Sequence, residues 1–184
     1  MGLSAKDVTK ISLGTSAADK ILGLKSGSVF AVVLDPAATV AAEREGLKNL
    51  AYLGDMFPLP FQGYVTTQRK LSENSAQVKR WIRAMVRSLL FVRGQPEDAA
   101  DIAMRRLRLR NITKPMLTEA IRSYVRAFPQ GVPGTPSAEG VKNILEYELR
   151  LPMKIDKPLV ADNFFDLRWV EEVRKEFEAK GVSQ

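Results

Sequence analysis

The chain has 184 residues, 45% of them hydrophobic and 27% charged, with a formal net charge of +7, a balance expected of a folded globule and not of a disordered segment. It contains neither cysteine nor histidine, which excludes disulfides, thiolate and imidazole metal sites, cysteine nucleophiles and Ser-His-Asp chemistry together. Its longest apolar runs, such as residues 29–34, fall far short of the roughly 20 residues that cross a bilayer, and no signal-peptide core follows the first lysine.

In chain order, residues 8–14 carry Val8, Ile11 and Leu13 before Gly14, the pattern of a buried strand. Residues 16–25 predict a helix with Ala17, Ile21, Leu22 and Leu24 on its apolar side and Ser16 as its cap. Residues 29–34 are almost wholly apolar and rich in valine, as expected of a strand covered on both faces in a parallel sheet. Asp35 and Pro36 then supply a cap and a first helical residue for a helix reaching Gly46. A third strand is predicted over residues 47–53. Residues 55–60 contain Pro58 and Pro60, which neither a helix nor a central strand tolerates, so this segment is read as a crossover. Residues 61–68, with Thr66 and Thr67, read as a fourth strand.

From Ser72 onward the pattern is helical. Residues 75–92 place Val78, Ile82, Met85, Val86, Leu89 and Leu90 at helical spacing, with Asn74 or Ser75 as cap. A second helix follows Pro96 to Leu107, a third opens at Thr113-Lys114-Pro115, a fourth starts at Ser137 and runs through Leu149, and a last spans residues 166–180, with Trp169, Val170, Val173 and Phe177 as its buried stripe. Residues 129–136 hold three prolines and two glycines and predict a surface loop.

Taken in order, Gly2-Leu3-Ser4-x-x-Asp7-Val8, Leu13-Gly14, Leu24-x-Ser26-Gly27-x-Val29-x-Ala31, Pro36, Gly46, Asn74-x-x-x-Val78 with Ala84, and Gln95-Pro96-Glu97-x-Ala99 resemble the second lobe and the following part of ABC-transporter substrate-binding proteins of the nitrate, sulfonate, taurine and thiamine-precursor type. The resemblance covers almost the whole chain. It departs from the family at Phe30, where an aspartate is usual, and at Asn74-Ser75 in place of Asn-Pro. The first-lobe strands and the export signal of the family are not in the sequence, so the resemblance implies a C-terminal portion.

That resemblance implies an α/β, type II periplasmic-binding-protein-like fold, incomplete and with a helix-rich C-terminal half: residues 1–55 as part of lobe two, residues 56–184 as the crossover and the helix-rich part of lobe one. It implies a periplasmic solute-binding component of an ABC transporter that closes its lobes on a small anionic or heteroaromatic solute, such as a sulfonate, nitrate or a pyrimidine precursor, and passes it to the permease without a cofactor. Ligands of open α/β sheets lie beyond strand ends and beside helix N-termini. The candidate ligand-binding residues are therefore Gly14, Thr15 and Ser16, then Asp35 and Pro36, with Phe61 and Gln62 as an aromatic wall and an amide from across the crossover. Thr15, Ser16 and Asp35 also have the plain reading of helix caps.

Two rival readings compete with this one. The charge, and the cluster Arg105, Arg106, Arg108 and Arg110, would suit a basic nucleic-acid-binding or assembly module; no phosphate loop, RNA-binding motif or finger spacing accompanies it, and a solvated helix face is the simpler reading, so no nucleic acid is expected. An enzyme of the thiamine-pyrimidine type is excluded because that chemistry depends on histidine, and pairs such as Glu171-Glu172 and Asp98-Asp101 read as solvated helix charges, so no catalytic residue is assigned. Exposed apolar edges predict a homodimer or segment exchange.

Overall fold

The computed structural model describes residues 4, 6–60, 62–107, 109 and 112–181. Among these residues eight α-helices follow one another: α1 Ala17–Lys25, α2 Pro36–Arg44, α3 Gln68–Glu73, α4 Ser75–Gly94, α5 Pro96–Arg106, α6 Lys114–Val125, α7 Ala138–Asn143 and α8 Arg168–Glu178. α7 continues directly into the wider, π-wound turns of Ile144–Arg150, and single 3-10 turns stand at Leu53–Asp55 and Ala161–Asn163.

No β-strand occurs among the described residues, and the expected α/β, type II periplasmic-binding-protein-like fold is thereby corrected to an all-helical one. The four predicted strands, 8–14, 29–34, 47–53 and 61–68, run outside regular structure, apart from the turn that begins at Leu53 and the first residue of α3; Phe61 lies outside the described residues. The physical reason is that a strand takes its hydrogen bonds from a neighbour, while a helix makes its own. Valine-rich composition marks a segment as fit for a sheet, but it supplies no partner. α3 was missed because Thr67, assigned to a strand, instead caps a helix, its hydroxyl accepting from the Lys70 amide at 3.2 Å.

The helix starts follow the sequence closely. Ser16, Asp35, Thr113 and Ser137 each accept a backbone N–H from the first turn of the helix they precede, satisfying one of the orphan donors that every helix start exposes. Pro36, Pro96 and Pro115 sit in first turns, where the missing N–H costs nothing. Asn74 precedes α4 without a capping side-chain bond.

α4 is the central element, touching α3, α5, α6 and α8. Against α8 it buries Val86, flanked one turn away by Ile82 and Leu90, on Val173 and Phe177. Beside this apolar seam, Arg83 grips Glu176 through two bonds, Nε to Oε2 at 2.6 Å and Nη2 to Oε1 at 2.9 Å, and Lys79 Nζ reaches Glu172 at 2.6 Å and Glu176 at 3.1 Å. α5 and α6 pair Lys114 with Asp101 at one end and Arg122 with Glu97 at the other, so the two helices run antiparallel. Ala99, Ala100 and Ala120 are buried on these helices, and Ala38, Val40 and Ala42 on α2, which lies along α6. Such small side chains let helix axes approach closely.

The segment 129–136 corrects a second expectation. Although rich in proline and glycine, it is not a plain surface loop: Val132 and Pro133 are buried and Val132 joins the Val86, Val173 and Phe177 cluster. Arg93, at the end of α4, fastens it by donating from Nη1 to the carbonyl of Gly131 at 2.6 Å. Gly134 takes φ +120°, and a Cβ there would stand 3.2 Å from Val170 Cγ2. Residues 58–60 are tied down in a similar way, with Asn143 Nδ2 donating to the Pro58 carbonyl at 2.9 Å.

Two predictions follow from this packing. Gly134→Ala combines a backbone conformation unfavourable for L side chains with a close contact, and is expected to destabilise the fold by about 1–3 kcal/mol, read as a drop in thermal midpoint of roughly 2–4 °C per kcal/mol. The hydrogen bonds from Arg83 and Lys79 lower the Glu176 carboxyl from an ordinary 4.5 to about 2. A carboxylate depressed in the folded state contributes stability above its unfolded value and loses it as protons are added. The thermal midpoint should therefore fall as pH is lowered from 4.5 towards 2, and Glu176→Gln should flatten that fall while lowering the midpoint at neutral pH.

Candidate functional site

The starts of α1 and α2 are brought to one place. Ala17 and Ala18 of α1 and Asp35, Ala37 and Ala38 at the start of α2 line a common open groove of about 570 Å³. Ile21 and Leu22 of α1, Ala41 of α2, and Ile112 and Met116 at the start of α6 complete its apolar wall. At one side Lys25 and Glu45 also line it, joined by an ion pair of 2.8 Å from Nζ to Oε2. The groove exists because α2 lies along α6 through its alanine face, leaving the α1 side of α2 uncovered.

Of the predicted residues, Asp35 alone lines the groove. Its Oδ1 accepts the Ala38 amide at 2.9 Å and its main-chain carbonyl accepts the Thr39 hydroxyl at 2.9 Å, so one carboxylate oxygen serves as a cap. Pro36 opens α2 beside it. Ser16 Oγ caps α1 at 3.4 Å from the Asp19 amide. Thr15 and Gly14 precede it, exposed, Gly14 at φ +72°. Gln62 is exposed and does not reach the groove, and Phe61 lies outside the described residues.

The groove residues that the sequence reading missed are Lys25, Glu45, Ile112 and Met116. The first two stand twenty positions apart and meet through one ion pair between the ends of α1 and α2; nothing in a linear pattern marks the pair. Ile112 and Met116 read as the ordinary apolar lead-in to α6. Nearby, burial raises the Tyr124 phenol above its usual value, and the negative charge of Asp35 and the neighbouring Tyr52 push it the same way. Tyr52 in turn lies under the Arg126 guanidinium at 4.6 Å, and Arg126 pairs with Asp55 at 2.7 Å.

Electrostatically the groove runs against the rest of the chain. Its charged lining consists of Asp35, Glu45 and Lys25, two carboxylates and one ammonium already paired, in a molecule of net charge +7. An oxoanion would find no unpaired cation in that lining and one carboxylate to repel it. A flat or apolar solute with N–H donors would find the aliphatic wall and the second oxygen of Asp35. Among the described residues no group of three or more carboxylates gathers as a metal site.

A second, smaller groove of about 330 Å³ lies where α7 passes into its π-wound turns, between Val141, Leu145, Pro158 and Leu159, with Lys142 and Glu146 at its rim. Glu146 is engaged by Arg150 one turn on, which lowers its carboxyl below the usual range. The basic residues Arg105 and Arg106 close α5, exposed to solvent, where positive charge complements the helix dipole. Among the described residues, no helix is long and apolar enough to cross a membrane. Compared with family models, with curated proteins and with solved structures, the chain matches none of them.

Proposed function

We propose that this chain is a solute-capturing component, or part of one, that serves an ABC transporter of the nitrate, sulfonate, taurine and thiamine-precursor type from the periplasmic side. The reading keeps the role implied by the ordered motifs between Gly2 and Ala99 and drops the two-lobed sheet architecture. The observation that carries it is the convergence of the α1 and α2 starts, Ala17, Ala18 and Asp35, on one groove of about 570 Å³, a volume suited to a small molecule.

Within the solutes of that class, the groove favours a small heteroaromatic over nitrate or a sulfonate. Ile21, Leu22, Ile112 and Met116 offer apolar contact, Asp35 accepts hydrogen bonds, and Lys25 is already neutralised by Glu45. The free energy of binding comes from apolar burial, and selectivity from the unpaired oxygen of Asp35.

A thermal-shift series against pyrimidines, aromatic acids, sulfonates, nitrate and bicarbonate tests this. A solute present at 100 times its dissociation constant adds about 2.7 kcal/mol, or roughly 5–10 °C for a chain of this size. The expected result is a shift with a heteroaromatic compound that disappears in Ala18→Trp, since Ala18 is exposed at the groove wall and a tryptophan there fills the space without touching the core. Absence of any shift, or a shift that survives Ala18→Trp, overturns the reading.

A further inference from the structure

The positive charge of this chain is concentrated in one stretch. Residues 62–93 contain seven Lys and Arg against a single carboxylate, Glu73, and α4 itself carries Lys79, Arg80, Arg83, Arg87 and Arg93 with no acid at all. Three of these α4 cations are engaged within the fold: Lys79 and Arg83 on the carboxylates of α8, and Arg93 on the Gly131 carbonyl. Arg80 and Arg87 form no ion pair among the described residues, and neither do Arg69 and Lys70 on α3, which packs against α4.

Helical spacing puts Gln77, Arg80, Trp81, Ala84, Arg87 and Ser88 on one side of α4. All six are exposed, and the side away from them packs through Val86 on α8. Tyr64, from the segment that leads into α3, stands edge-on to Trp81 with ring centroids 4.4 Å apart and planes at 79°. It is 71% exposed and Trp81 44%. The fold thus adds an accessible aromatic pair to the cations of this face, from residues seventeen positions apart.

We propose that this face of α4, with Tyr64 and the adjoining α3, rests on an anionic lipid surface. Arg80, Arg87, Arg69 and Lys70 stand at the level of the lipid phosphates, and Trp81 and Tyr64 enter the headgroup boundary, where rings with one polar atom settle. Charge complementarity carries the choice of occupant: no carboxylate on α4 opposes an anion, and each unpaired cation gains at a negative leaflet. A single-stranded nucleic acid would also meet the cations, but a run of bases stacks on ring faces presented side by side, and here the two rings close on each other nearly at right angles. Contact is peripheral, because α8 already covers the apolar side of α4 and, among the described residues, no helix is long and apolar enough to cross a membrane. The inference does not depend on the solute reading.

Co-sedimentation of the full chain with vesicles of phosphatidylcholine, alone or mixed with phosphatidylglycerol, tests this at low and high salt. The expected result is binding to the anionic vesicles only, weakened by salt and accompanied by a blue shift of tryptophan emission. Arg80→Gln and Arg87→Gln should each weaken partitioning roughly five-fold with the helical circular dichroism unchanged. Lys142→Gln and Lys175→Gln lower the net charge equally at exposed positions on α7 and α8, and should change partitioning far less. Trp81→Phe should keep binding but lose the blue shift, since the other tryptophan, Trp169, lies on α8. No binding to anionic vesicles, equal binding to neutral ones, equal losses in the Lys142 and Lys175 variants, a blue shift that survives Trp81→Phe, or capture of a single-stranded oligonucleotide without capture of vesicles would each overturn the proposal.

Discussion

The constraint on which the molecule depends is that every backbone N–H and C=O must find a partner or water. The helices meet it internally, with their caps at Ser16, Asp35, Thr67, Thr113 and Ser137 taking up first-turn donors. Residues 8–13, 29–34, 47–52 and 62–66 do not meet it with one another, and their apolar side chains stay largely in solvent, Leu50 at 78% exposed and Val65 at 99%. The outcome is an uneven distribution of stability along the chain. The region from α4 to α8 contains the buried cluster and most of the interhelical ion pairs, whereas the first third rests on α1, on α2 against α6 and on the Tyr64 ring, which meets Trp81 of α4 edge-on at 4.4 Å.

What was legible in the sequence follows the same division. Apart from that of α3, helix starts were readable to within a residue or two because a cap is a local event: Asp35-Pro36 needs only the next three residues to act. The α8 stripe was readable because the spacing of Val173 and Phe177 alone determines which side faces α4. Strand assignments failed because Val29 to Leu34 says what kind of neighbour would suit the segment and nothing about whether one is present. The loop at 129–136 misled for a different reason. Proline and glycine mark a change of direction, but Val132 between them carries its own hydrophobic drive, and Arg93 supplies the carbonyl partner that allows such a segment inside.

The groove was half legible. Helix N-termini were the right place to look, and Asp35 was found there. The partner helix α6 was not, because the α2–α6 contact joins residues some eighty positions apart through alanines, and alanine has no signature of long-range pairing. The sign of the groove was likewise hidden. A net charge of +7 invites anions in general, yet local potential is weighted towards nearby groups because salt screens charges beyond about 8–10 Å, and the charged groups that line the groove are Asp35, Glu45 and a neutralised Lys25.

The turn that buries Val132 and Pro133 just before Gly134 has a consequence for how this chain can vary. Loops ordinarily absorb insertions and substitutions, and connections rich in proline and glycine are the first places where length drifts. Here the connection between α6 and α7 inserts Val132 into the seam between α4 and α8, buries Pro133 next to it and is clasped by Arg93. Its length and its glycine are fixed by the same close packing that fixes Val86. Variation should therefore concentrate in the exposed stretches 48–51 and, Tyr64 aside, 62–66, which a pattern-based reading assigns to strands, and be sparse in the stretch that the same reading assigns to a surface loop.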